Sequence, residues 1–127
     1  NLAKSAQPPN IISAFKLAQV CAKMFDNQEF DSFTINYLQI DWKLDHDKLI
    51  YNDAHVAYLF KCNPANLYIN WAAAMQIQFH VSDLDQNYTG SMEDWAKSYL
   101  VHFVAQARRR ADDMVTRFVK PFEKYIT

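Results

Sequence analysis

Apolar residues recur at intervals of three and four along most of this chain, the spacing that gathers them on one face of an α-helix. From Asn10 onward, Ile11, Phe15, Ala18, Ala22 and Phe25 keep that spacing, with Leu17, Cys21 and Met24 beside them and Ser13, Lys16 and Lys23 opposite. Asn10 offers an N-cap, so the pattern predicts an amphipathic helix beginning there. Phe30, Phe33, Tyr37, Ile40 and Leu44 continue the same rhythm. Phe33, Ile35 and Tyr37 also alternate as in a strand, but this phase breaks at Tyr37-Leu38 while the helical one runs on to Leu44, so a second helix is expected. Asp45-His46-Asp47 reads as a turn, followed by a weaker helix over about 48–62 carrying Ile50, Ala54, Ala57 and Tyr58.

Asn63-Pro64 marks a restart, with Asn as cap and Pro at the first helical position. Beyond it, Tyr68, Ala72, Met75 and Phe79 suit a helix and Met75 to Val81 alternates like a strand. The run Ala72-Ala73-Ala74 favours a central helix reaching Ser82, and a helix-plus-sheet fold is the competing expectation. Asp83 to Gly90 is a polar loop. Ser91 to Asp94 resembles a capping box with Asp in the usual Glu position. A long helix over 92–119 follows, its apolar face predicted to be Ala96, Leu100, Phe103, Ala107, Ala111, Met114, Val115 and Phe118. Pro121 lacks the donor that a helix interior needs, which predicts a break near Val119-Lys120. Phe122, Tyr125 and Ile126 form an apolar tail. The expected fold is therefore all-α, a bundle of four to five helices with a long C-terminal helix (alternative: α+β with a small sheet). Residues 1–9, ending in Pro8-Pro9, form an extended arm or linker, and 10–127 a single helical domain.

Composition narrows the chemistry. Half of the 127 residues are hydrophobic and 15% are aromatic, enough for one real core and too apolar for disorder. The single glycine, Gly90, excludes the Gly-rich loops that cradle nucleotide phosphates. Cys21 and Cys62 lie in apolar stretches and are expected to be buried, reduced and unpaired, which fits a cytoplasmic, intracellular protein. The uncharged stretch from Pro64 to Ser82 is interrupted by Asn66, Asn70, Gln76, Gln78 and His80, so no membrane span is expected. Asn1 rather than Met opens the chain, as in a processed product or an excised domain.

Candidate chemical groups are few. Asp45, His46, Asp47, Asp53 and His55 form the one cluster with metal-like donors, but the two histidines lack the spacing that places them on one helical face, and a solvated turn is the expected reading. No metal, cofactor or catalytic residue is assigned. Asn87-Tyr88-Thr89 matches the glycosylation acceptor pattern, a weak match that matters only in a secreted chain. Arg108–Asp112, Arg109–Asp113 and Asp113–Arg117 stand at helical i,i+4 spacing, where pairs steady an exposed face by only tenths of a kcal/mol.

Charge distribution says more than the net charge of −1. Nine acidic residues from Asp26 to Asp85 face only Lys43, Lys48 and Lys61. Seven basic residues from Lys97 to Lys124 face only Asp112, Asp113 and Glu123. The basic end either packs on the chain's own acidic middle or meets a partner, with Arg110, Arg117 and Lys120 sharing one surface and Arg108 and Arg109 beside them. These five are the candidate binding residues. The expected function is non-catalytic: a helical interaction or assembly domain with a protein partner, itself included. The alternatives are a nucleic-acid-binding domain of nucleocapsid or regulatory type using the basic helix, and a carrier of a small apolar ligand.

Overall fold

The computed structural model describes residues 10–32, 34–78 and 88–127; the predicted arm over 1–9 lies outside them. The chain is α+β rather than all-α. In order, it runs β1 (Asn10–Ser13), α1 (Ala14–Asn27), β2 (Asn36–Asp45), β3 (Lys48–Tyr58), β4 (Tyr68–Asn70), β5 (Gln76–Gln78), α2 (Met92–Met114) and α3 (Lys120–Glu123). Short 3₁₀ turns occupy Leu59–Lys61 and Pro64–Asn66. The expected helices over 30–44, 48–62 and 64–82 are thus corrected to strands and turns, and the small-sheet alternative is the one that holds.

The first helix begins three residues later than predicted. Asn10–Ser13 pairs antiparallel with β5, Asn10 opposite Gln78 and Ser13 opposite Gln76, and Ser13 is the cap, its Oγ accepting from the Lys16 N–H at 3.3 Å. The buried stripe of α1 is Ala14, Leu17, Ala18, Cys21 and Met24. Phe15 and Ala22, predicted for that face, point outward. Gln28 ends the helix in the left-handed region at φ 53°, its side chain donating to the Phe25 carbonyl at 2.8 Å.

β2 and β3 form a long antiparallel hairpin, with Tyr37 opposite Ala57, Ile40 opposite Ala54 and Leu44 opposite Leu49. The predicted turn at Asp45-His46-Asp47 exists, but it reverses a strand. His46 and Asp47 both have positive φ, 48° and 64°, the conformation of the two-residue connections whose twist matches paired strands. The helical reading failed because β2 carries apolar residues on both faces. Tyr37 turns toward the core and Leu38 away from it, and this breaks the expected alternation. Further along, Ala72-Ala73-Ala74 is a turn between β4 and β5. Asn70 decides it: its carboxamide Oδ1 and its main-chain carbonyl each accept from the Ala73 N–H at 3.2 Å, and this side-chain competition overrides alanine's helix preference. β5 lies between β1 and β4. The part of the expected segment beyond Gln78 lies outside the described residues.

The core lies between α1, α2 and the segment from Ala57 to Ile77. Trp95 and Tyr99, stacked with ring centroids 5.6 Å apart, are fully buried. Each polar tip is satisfied: the Trp95 indole donates to the Cys62 carbonyl at 2.8 Å and the Tyr99 hydroxyl to the Ala14 carbonyl at 2.7 Å. His102 meets the Leu67 carbonyl at 2.7 Å. The capping box predicted at Ser91 is present, with Asp94 N–H donating to the Ser91 Oγ at 3.1 Å and Ser91 N–H to the Asp94 carboxylate at 3.4 Å. The buried face of α2, however, stops early. Leu100, Phe103 and Ala107 are half-buried, whereas Ala111, Met114 and Phe118, predicted for the core, are exposed. The expected break at Pro121 takes the form of a π-helical stretch over Val115–Val119, closed by the Lys120 N–H on the Val115 carbonyl. Cys21 and Cys62 are buried and free, and burial pushes the Cys21 thiol up to about 12.

Candidate nucleic-acid interface

All five candidate residues lie on the far part of the C-terminal helix, but the structure does not give them one environment. Arg108 and Arg109 are exposed, and Arg110 is half-buried. Arg117 is tied to Asp113 at 3.6 Å and lies over the Phe118 ring, 5.3 Å from its centroid. Lys120 is exposed. The expected Arg108–Asp112 and Arg109–Asp113 pairs do not form. Asp113 turns to Arg117 instead, and among the described residues Arg108, Arg109, Arg110 and Lys120 have no ion-pair partner.

Helical geometry, at about 100° per residue, aims consecutive arginines in different directions. Arg108 and Arg109 therefore border an open groove of about 990 Å³ between α1 and α2, floored by Phe25, Leu100, Val101 and Val104. Arg109 and Arg110 border a second hollow of about 490 Å³ with Trp71, Gln106, Asp112, Asp113 and Thr116. Arg109 and Asp112 are common to both. The sequence did not single out Trp71, which the β4–β5 turn brings beside this helix. Its signal was the Asn70-Trp71 pair ahead of a turn in which Ala74 and Met75 adopt positive φ.

Among the described residues, no carboxylate of the acidic middle forms an ion pair with the basic end. The carboxylates of the hairpin meet its own histidines: His55 Nε2 lies 3.4 Å from Asp53 and 3.7 Å from Asp41, and His46 lies 3.6 Å from Asp45. The structure thus joins Asp53 to His55, adds Asp41, which the sequence reading omitted, and leaves His46 at the tip. Among the described residues no group of three or more His, Cys, Asp or Glu is placed to hold a metal ion. Asn87 of the acceptor pattern lies outside those residues. Nor is any described helix long and apolar enough to cross a membrane. The α1–α2 hollow is a surface groove, unlike the enclosed interior that the carrier alternative needs.

Comparison with known proteins places these features. The family model for restriction endonuclease HincII matches residues 1–126. The type II restriction enzymes HindII and HincII of Haemophilus influenzae are each 64% identical over 126 residues, covering 99% of this chain and 49% of theirs. The chain thus spans about half the length of these relatives. The match overturns the expectation of a non-catalytic assembly domain and favours the nucleic-acid alternative, because a spatially assembled active site leaves no short motif to read. The chain belongs to the restriction endonuclease HincII family.

Proposed function

We propose that this chain works as part of a type II restriction endonuclease, an enzyme that hydrolyses phosphodiester bonds in duplex DNA. One observation carries the reading: 64% identity with two type II restriction enzymes over 126 residues. The described residues contribute scaffold and DNA contact, and the hydrolytic centre is assigned to residues outside them. Arg109 and Arg110 are the phosphate contacts of choice, since neither guanidinium is spent on a carboxylate and both border the hollow beside Trp71. Arg108 and Lys120 add free positive charge, whereas Arg117 is already compensated by Asp113. A second copy related by a two-fold axis suits antiparallel duplex strands.

A chimera tests the activity. With this chain substituted for the matching 126 residues of Haemophilus influenzae HindII, the enzyme should cut duplex DNA into discrete fragments. A chimera that folds and leaves DNA intact overturns the proposal.

A further inference from the structure

The hairpin presents a second surface that DNA binding does not use. Successive residues of a strand point to opposite faces, so Leu38, Ile40, Trp42 and Leu44 share one face of β2. The register sets Val56, Ala54, Tyr51 and Leu49 opposite them. Leu38, Ile40, Leu44, Leu49, Tyr51 and Val56 are each more than half exposed. Single-chain proteins rarely leave more than a few hundred Å² of contiguous apolar surface in water, and an isolated two-stranded hairpin is at best marginally stable. This one extends ten residues, about 34 Å.

We propose that this face is the seat for further polypeptide of the family fold, of the kind carried in the half of the relatives' length that this chain does not span. Three observations select that occupant. Asp41, Asp45 and Asp53 lie with Lys43 and Lys48 on the other side of the hairpin, so this face offers no cation to hold the phosphates of DNA. Docking on the basic apolar helix end of another copy would be head-to-tail, a contact that propagates into filaments unless it closes. The relatives, each with about as much chain again, supply a covering segment without that cost. The inference rests on family membership and not on DNA cleavage.

The test is co-expression of this chain with the portion of Haemophilus influenzae HindII that it does not match, scored without DNA. The two should purify as a 1:1 complex, with amide exchange over 36–58 slowed at least tenfold relative to the chain alone. The Leu44→Glu/Leu49→Glu double variant, placed at exposed positions so that the chain still folds by circular dichroism, should lose the complex. Leu44→Ser/Leu49→Ser should weaken it, and Lys43→Ser, on the other face, should keep it. Failure of the wild-type pair to co-purify, or a Glu variant that co-purifies as wild type, overturns the proposal. So does a discrete dimer of the chain alone that the Glu substitutions abolish, because the occupant would then be a second copy.

Discussion

The near and far halves of the C-terminal helical run, from α2 through the π-helical stretch to α3, are both rich in apolar residues and have opposite fates. From Trp95 to Phe103 the helix meets α1 and the turn at Pro64–Asn66, and its aromatic rings stack in series: Trp95 on Tyr99, then Tyr99 on Phe103 at 6.3 Å. From Ala111 onward every residue is exposed, Met114, Phe118 and Phe122 included. The hairpin repeats the contrast, with Tyr37 and Ala57 turned inward and Leu38 and Val56 outward. Periodicity thus reports which side of an element wants burial, but whether anything covers that side depends on what packs there.

Breaking the near half should be costly. Trp95→Ala removes a fully buried ring and its hydrogen bond to the Cys62 carbonyl, and should destabilise the chain by about 3–5 kcal/mol in urea unfolding. Tyr99→Phe keeps the ring but leaves the Ala14 carbonyl without its donor, a loss of about 1–3 kcal/mol in the same measurement. Ser91→Ala removes half of the capping box and should cost about 0.5–2 kcal/mol. Phe118→Ser on the far half should change stability by no more than about 0.5 kcal/mol. A cost at Phe118 to match Trp95 would show that the far half is covered in the chain itself.

Alkali separates the regions as well. The Cys21 thiol rises from 9.0 to about 12 on burial, so between those values the unfolded chain releases a proton that the folded chain keeps. Stability from this group is full below pH 9 and lost as pH climbs toward 12. Burial, and secondarily Cys21, also raises the Tyr99 hydroxyl, which adds a loss of the same sign. Cys21→Ala should flatten the profile measurably, and an unchanged profile would assign the alkaline loss elsewhere.

Salt offers a last, smaller test, now of the binding side. Arg109→Ala/Arg110→Ala should weaken duplex DNA binding and reduce the slope of log affinity against log salt by about 1.8, or 0.9 per lost phosphate contact. Arg117→Ala should change the slope less, because Asp113 already holds that charge. Equal slopes for the two variants would dissolve the distinction between paired and unpaired arginines.

Local signals were legible where one residue decides the local structure. Ser91 and Asp94 announced the start of α2, and Pro121 announced trouble in its final turns. Cys21 was readable as core because its apolar neighbours surround it in either phase. The hairpin was not readable, because an apolar residue on both faces of β2 mimics helical spacing. The binding residues were half legible. Their charge and the acidic–basic asymmetry stood in the sequence, but the preference of Asp113 for Arg117 over Arg109 is a geometric choice. Trp71 reaches Arg110 only through a turn 35 and more residues upstream of it. Kinship with restriction enzymes was illegible for a chemical reason: the described residues hold no group of three or more metal-ligating side chains that would announce it.

The irregularity in the hairpin at Asp41-Trp42 has a consequence for how this chain tolerates changes in length. Asp41 stands opposite Asp53, and Trp42 opposite Tyr51, which makes Asn52 an additional residue in β3. Because of it, Leu49 and Tyr51 share a face with Ala54, Val56 and Tyr58 despite their odd numbers. Deleting the single codon for Asn52 would close the bulge and leave Leu49 and Tyr51 on the apolar side, opposite Leu44 and Trp42 and in plain alternation with Asp53. A one-residue loss at this exposed asparagine would therefore be absorbed, whereas loss of Tyr51 and Asn52 together would carry Ile50 to the apolar side and turn Leu49 to the side of Asp53 and His55.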